Sequence, residues 1–184
     1  VEVDWDGIFA GIDGGRYDTT FNGVEITEER AEKYDFTDPY AYIRTALVVK
    51  GDNEDITSFE DLDGKTTANS INSTYMLLAE SYGAECTAVD DLAQTMEMLV
   101  SGRVDATLNA EVSIYDYLKE KPDTDIKIVA LTEDASYVSA PVRKEEATAS
   151  LKAAMDEAIA ELAEDGTLSE LSEKYFGSDI TQAD

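Results

Sequence analysis

The stretch FNGVEITEERAEKYDFTDPY, residues 21–40, predicts a tight turn, a short helix and an extended exit. The pair Asn22-Gly23 is typical of a turn in which backbone amides can approach a small ligand closely. Thr27 is a good candidate for the N-cap of the helix, and the two glutamates that follow it suit the helix dipole. Arg30 opposes that dipole, so we expect its guanidinium to face an anion from outside the chain.

Together with WDGIFAGIDGGRYD, residues 5–18, this stretch resembles the extracellular solute-binding proteins that supply polar amino acids to ABC importers. The resemblance implies that the turn at Gly23 and the side chain of Arg30 clamp the α-carboxylate of a free amino acid. The chemistry agrees, because a guanidinium presents a planar fork of donors that matches a carboxylate. The alternative is a surface arginine paired with Glu28 or Asp35.

The composition excludes several classes of function. The formal net charge is −27, from 14 Lys and Arg against 41 Asp and Glu, which argues against nucleic-acid binding through a basic patch. The absence of histidine removes the commonest general base and metal ligand. Cys86 is the only cysteine, so no disulfide can form within the chain, and its apolar neighbours favour a buried, inert thiol.

The order of predicted elements indicates an α/β fold. From Lys65 onward, strands alternate with helices of about ten residues, a pattern typical of βαβ units and a mainly parallel sheet flanked by helices. RTALVVK, residues 44–50, and Tyr137–Val142 are predicted to be two crossover strands. Val1–Asp4 and Tyr17–Phe21 also read as strands. With 184 residues, the chain is long enough for two small lobes.

The resemblance implies a two-lobed architecture like that of type II periplasmic binding proteins. Residues 1–43 would form the first part of lobe 1, residues 44–135 lobe 2, and residues 136–184 a crossover with the return to lobe 1. It also implies that a strand, a helix and a second strand of lobe 1 are missing. An incomplete lobe would expose apolar surface, so instability, a dimer by segment exchange or a second noncovalent fragment is expected.

The second motif is SINSTY, residues 70–75, a hydroxyl-rich turn that leads into a helix. The N-terminus of a helix offers free N–H groups to an anion. The resemblance implies that this turn closes lobe 2 onto the ligand carboxylate, through Ser73 and Thr74 with Ser70 nearby. The alternative is that the hydroxyls only cap the helix.

The third motif is GRVDATLNA, residues 102–110. The resemblance implies an aspartate at the position of Ala110, where it would pair with the α-ammonium of the ligand. An ammonium buried without a partner costs several kcal/mol, so another group must replace that aspartate. Glu25, Glu111 and the missing segment are the candidates, and for Glu25 the alternative is a solvated surface glutamate.

Two further side chains complete the candidate binding site. Asn109 is expected to offer its amide to the side chain of the ligand. The resemblance implies that Trp5 lines the ligand cleft, and the alternative is an aromatic residue of the core. Asp105 is expected to have a structural role.

These features predict a substrate-binding component of an ABC importer. It would bind a free L-amino acid, polar and possibly cystine, between two lobes and deliver it to a membrane permease. No catalytic residue, metal or cofactor is predicted, and the expected location is extracellular, as a cell-surface lipoprotein or in the periplasm. The alternatives are a dehydratase-like enzyme on the same fold, with a carboxylate such as Glu25 as its base, and the ligand-sensing domain of a receptor.

Overall fold

A computed structural model describes residues 3–182, which contain both helices and strands. The α-helices are α1 (Trp5–Asp13), α2 (Glu28–Lys33), α3 (Thr74–Ser81), α4 (Leu92–Val100), α5 (Glu111–Glu120), α6 (Glu146–Glu164) and α7 (Thr167–Phe176). The β-strands are β1 (Tyr34–Phe36), β2 (Ala41–Ile43), β3 (Thr45–Lys50), β4 (Thr66–Ser70), β5 (Glu85–Val89), β6 (Ala106–Ala110), β7 (Ile126–Leu131), β8 (Ser136–Val138) and β9 (Pro141–Arg143). A short 3-10 helix occupies Phe59–Leu62.

The chain divides into two units. Unit 1 comprises Val1–Asp6 and Arg44–Asp134, and unit 2 comprises Gly7–Ile43 and Ala135–Asp184. Unit 1 thus contains all but the last of the residues predicted for lobe 2, and unit 2 contains most of those predicted for lobe 1. The segment that ends at Asp6 is an exception, because the sequence assigned it to lobe 1 and it groups with unit 1. One reason is a hydrogen bond within unit 1, in which Asn72 Nδ2 donates to Asp6 Oδ1 at 3.4 Å.

Unit 1 is built on a five-stranded sheet in the order β5-β4-β6-β3-β7. β4 is parallel to both β5 and β6, and β3 is antiparallel to both β6 and β7. It follows that β3 alone runs against the other strands, so the sheet is mainly parallel in direction, as predicted. β3 was predicted to be a crossover strand, and all of it lies in unit 1. Its reversed direction is not encoded in its composition.

The core of unit 1 lies on both faces of this sheet. Leu47 and Val49 of β3 belong to a cluster that includes α3, and Ala46 and Val48 belong to a second cluster with α4 and α5. Successive side chains of a strand point to opposite faces, which explains this division. All four residues have zero exposure, as expected for a central strand covered on both sides.

The described strands of unit 2 pair only antiparallel, β1 with β9 and β2 with β8. The predicted crossover over Tyr137–Val142 is thus divided into two short strands, β8 and β9. The strand predicted over Tyr17–Phe21 is wrong, because this segment makes only an isolated bridge between Thr19 and Val142. Of the strand predicted over Val1–Asp4, Val3 and Asp4 lie outside any strand, and the rest falls outside the described residues.

Within residues 3–182, no helix combines the length and the apolar character that a membrane crossing requires.

Candidate functional site

In unit 2, the predicted carboxylate-binding groups lie on one continuous turn and helix. Gly23 has φ +63, a left-handed conformation that favours glycine, and is exposed. The residues that follow are held by β8, since Ile26 N donates to Tyr137 O at 2.9 Å. Thr27 then caps α2 by accepting a hydrogen bond from Arg30 N at 3.1 Å. The cap predicted from the sequence is therefore confirmed, and it fixes where Arg30 leaves the chain.

Arg30 is half-buried and makes contacts within its own unit. Its Nη1 donates to Glu25 O at 3.0 Å, and its Cζ lies 5.2 Å from the ring centroid of Phe9. An aromatic face next to a guanidinium holds the cation by electrostatic attraction and restricts its motion. These two contacts restrain the guanidinium, which is a form of the preorganisation that recognition of an anion needs.

The pKa of Tyr34 is affected by the charges of Arg30 and Asp13. Burial is the largest influence and, with the hydrogen bond that Tyr34 OH donates to Asp13 Oδ1 at 2.7 Å, raises the pKa of Tyr34 to about 12. The positive charge of Arg30 acts in the opposite direction. Tyr34 therefore stays protonated at neutral pH and keeps its bond to Asp13.

Glu25 is buried, with only 6% of its surface exposed. This excludes the alternative of a solvated surface glutamate. Its backbone makes an isolated bridge with Val138, and its carbonyl oxygen is the acceptor for Arg30. The structure thus places Gly23, Glu25 and Arg30 together on one segment of unit 2.

An aromatic pair next to Gly23 was missed by the sequence reasoning. The rings of Phe21 and Tyr40 lie 5.4 Å apart, and Phe21 is 56% exposed. Burial raises the pKa of the Tyr40 phenol, and a hydrogen bond with the backbone of Gly23 partly offsets that rise. A phenylalanine directly before Asn-Gly was the available signal, because a large aromatic residue is unusual at an exposed turn.

In unit 1, the hydroxyl-rich motif forms the turn between β4 and α3. Ser70 is the last residue of β4, and its carbonyl accepts a hydrogen bond from Ser73 N at 3.1 Å. Ser73 is buried and caps α3 by accepting from Met76 N at 3.1 Å, while Thr74 is the first helical residue. Asn72 has φ 55, a conformation that asparagine tolerates better than most residues. Capping is thus a role of Ser73 and not of Thr74.

The third motif ends at the neighbouring strand, β6. Asn109 Oδ1 accepts a hydrogen bond from Ala110 N at 2.9 Å, and Ala110 is 6% exposed. Glu111 forms a bidentate pair with Arg44, with both nitrogen–oxygen distances at 3.2 Å. Glu111 is therefore engaged by a cation of its own unit, which weakens it as a candidate partner of a ligand ammonium.

Trp5 opens α1 and is half-buried. The next residue, Asp6, accepts the hydrogen bond from Asn72 described above, so the start of α1 lies next to the turn at residues 70–74. The role of Trp5 towards a ligand stays a prediction.

The remaining reactive groups have structural explanations. Burial raises the pKa of the Cys86 thiol, and its sulfur lies 2.8 Å from Thr67 Oγ1. A thiol with a raised pKa carries little thiolate at neutral pH, which supports the prediction of an inert cysteine. Cys86 is half-buried, however, and not fully buried as predicted. Over residues 3–182, no group of three or more His, Cys, Asp or Glu side chains is placed to hold a metal ion.

Comparison with known proteins relates this arrangement to one family. The sequence profile of the bacterial extracellular solute-binding proteins, family 3, matches residues 1–178. The L-cystine-binding protein TcyA of Bacillus subtilis (strain 168) is 38% identical over 181 residues, which are 98% of this chain and 66% of TcyA. The chain thus spans about two thirds of the length of that relative.

Solved structures show the same relationship. An ancestral arginine-binding protein bound to glutamine superposes with a TM-score of 0.89 at 33% identity, over 97% of this chain and 79% of the other. The L-cystine solute receptor of Neisseria gonorrhoeae, in its unliganded open conformation, has a TM-score of 0.61 at 37% identity, over 99% of this chain and 77% of the receptor.

Proposed function

Because this chain belongs to the bacterial extracellular solute-binding proteins of family 3, we propose that it binds a free L-amino acid and delivers it to the permease of an ABC importer. Members of this family bind solutes and are not enzymes, so the dehydratase alternative is set aside. The observation that carries the proposal is Arg30, a half-buried residue of α2 whose guanidinium lies against the ring of Phe9.

Arg30 is the proposed partner of the ligand α-carboxylate. A guanidinium can donate two parallel hydrogen bonds to a carboxylate, and such charge-assisted pairs are about twice as strong as neutral ones. Gly23 supports this role, since a residue without Cβ lets the backbone approach the ligand closely.

Glu25 is the proposed partner of the ligand α-ammonium. Ala110 offers no charge, and Glu111 already holds Arg44. Glu25 combines a negative charge with low exposure, and it lies on the same segment as Arg30. A buried carboxylate and a half-buried guanidinium on one segment would match the two charges of a zwitterion, which would favour free amino acids over simple carboxylic acids.

Unit 1 supplies further proposed ligand contacts. Thr74, with the backbone amides at the N-terminus of α3, offers donors to an anionic group. Ser70 is the last residue of β4 and Asn109 is the penultimate residue of the adjacent strand β6, and we assign both to the side chain of the ligand. Ser73 contributes by capping α3, and Trp5 is assigned to apolar cover of the ligand.

Cystine is the proposed ligand, because TcyA and the gonococcal receptor are both named for it. Arginine and glutamine are the competing ligands to test, since the ancestral protein binds glutamine and is named for arginine. Mass spectrometry of the solution released by denaturing freshly purified protein would identify a retained ligand. Calorimetric titration with the three amino acids would then rank them.

The decisive variant is Arg30→Met, which keeps the apolar stem and removes the charge. Loss of a bidentate, charge-assisted pair should raise the dissociation constant by roughly 100-fold or more. Arg103→Met is the matched control, because Arg103 is exposed and its guanidinium donates to the exposed side chains of Ser101, at 3.0 Å, and Glu97, at 2.6 Å. Unchanged affinity in Arg30→Met, or no binding of any amino acid by the wild type, would reject the proposal.

The family is extracellular, so this chain acts outside the cytoplasmic membrane, either at the cell surface or in the periplasm. We further propose that the mature protein is held at the cell surface by a lipid anchor. The segment-exchanged dimer stays a prediction, and sedimentation velocity combined with intact mass would test it.

A further inference from the structure

The strands that carry the unit 1 candidates, β4 and β6, are joined by backbone pairing only at their starts. Asp105 N donates to Thr66 O at 2.9 Å, and Thr67 is in register with Ala106. That is the one registered pair between these two strands, all of whose residues are described. β4 and β5, by contrast, stay in register over five pairs, from Thr66 to Ser70.

Beyond the paired starts, side chains join β4 to β6. Thr107 Oγ1 donates to Ala68 O at 2.8 Å, and Asn69 Nδ2 donates to Leu108 O at 2.6 Å. The next residue along each strand is a candidate ligand contact, Ser70 on β4 and Asn109 on β6. The amide of Asn69 is therefore the last connection between the two strands before the candidate site.

The orientation of the Asn69 amide follows from its neighbours. Its nitrogen faces Leu108 O, which can only accept, so the reverse assignment would bring two oxygens to 2.6 Å. A second contact, to Thr107 Oγ1 at 3.3 Å, agrees with this orientation. Both hydrogen bonds that Asn69 Nδ2 donates therefore go to residues of β6.

Asn69 also lowers the stability of the fold. The residue is 1% exposed, and its Oδ1 is buried without a hydrogen-bond partner within residues 3–182. A buried acceptor without a partner costs about 1–3 kcal/mol, and an apolar β-branched residue would suit this strand better. A costly polar side chain in the middle of a core is expected where it serves a site rather than stability.

We propose that Asn69 is a positioning residue for amino-acid binding, because its amide sets the separation between the Ser70–Thr74 turn and Asn109, the penultimate residue of β6. The inference rests on the function proposed above. Asn69 has almost no exposed surface, so it acts through the strand ends and makes no contact with the ligand.

The test compares Asn69→Val and Asn69→Ser with Thr95→Val. Valine removes the amide together with its unsatisfied oxygen, and serine is too short to reach Leu108. Thr95 is 2% exposed and donates to Asp91 O at 3.1 Å, so Thr95→Val removes a buried hydrogen bond of unit 1 in α4, a helix that contains none of the candidate residues. Hydrogen exchange is measured by mass spectrometry on the ligand-free 184-residue chain, and L-cystine affinity by calorimetry.

Both Asn69 variants should exchange faster in peptides covering residues 66–76 and 104–112, and Thr95→Val should not. Loss of the last connection should weaken cystine affinity about tenfold, comparable to one lost hydrogen bond. Because Asn69→Val also removes the buried unsatisfied oxygen, its unfolding midpoint should change little, which separates positioning from a purely structural role.

Unchanged exchange in both peptides for both variants would overturn the inference, whatever the affinity. Faster exchange with unchanged cystine affinity would also overturn it, because the separation of the strand ends would then not matter for binding. If the wild type binds none of the tested amino acids while exchange still increases, the proposed function fails and the structural role of the Asn69 amide stands.

Discussion

At the scale of single residues, Asp105 shows how local donors tune a charge. Its Oδ2 accepts hydrogen bonds from Thr66 N at 2.8 Å and Thr66 Oγ1 at 2.7 Å. The backbone bond is the larger cause of a pKa lowered below its ordinary value of 3.8. This confirms the structural role predicted for Asp105, because its carboxylate joins the starts of β4 and β6.

The lowered pKa of Asp105 makes its contribution depend on pH. The folded state favours the ionised carboxylate, so the contribution is present above the unfolded pKa and is lost as pH falls through the folded one. At pH 7, Asp105→Asn should lower the free energy of unfolding by about 0.5–1 kcal/mol, a range reduced for solvent exposure. Urea unfolding at pH 7 and pH 3 measures this difference, which should shrink at pH 3. A loss equal at both pH values, or an equal loss in the exposed control Asp116→Asn, would contradict it.

At the scale of elements, two helix caps in unit 1 have the same chemistry and different expected consequences. Ser73 caps α3 at 3.1 Å, and Asp91 caps α4 by accepting from Gln94 N at 2.8 Å. Replacing either cap with alanine should cost about 1 kcal/mol of folding free energy. Only Ser73→Ala should also weaken amino-acid affinity, because of these two helices only α3 directly follows a candidate ligand turn. Denaturant unfolding and calorimetry on both variants would check this, and equal affinities in the two would contradict the assignment.

At the scale of the whole molecule, the net charge of −27 should oppose folding by self-repulsion. Raising NaCl from about 0.01 M to about 1 M shortens the Debye length from about 30 Å to about 3 Å, so the repulsion should be screened. The unfolding midpoint should therefore rise with salt at pH 7, as measured by differential scanning calorimetry. The rise should be smaller near the pI of about 4.1, where the net charge approaches zero. A midpoint that is independent of salt at pH 7 would contradict this prediction.

The sequence by itself determined the features that depend on neighbours along the chain. The cap at Thr27 and the alternation of strands and helices after Lys65 are both present. Each of them is governed by hydrogen bonds or hydrophobic spacing within a few residues, so local sequence contains the required information. Three ordered motifs were likewise enough to indicate the family.

Only the tertiary structure decided features that depend on distant partners. It buried Glu25, for which the sequence left two alternatives, a ligand partner or a solvated surface residue. It also paired Glu111 with Arg44, which is 67 positions away in the sequence. It also reduced the strand expected over residues 17–21 to a single bridge at Thr19. Burial, charge pairing and strand pairing are set by which segments meet in space, and a linear pattern of residue types does not specify that meeting.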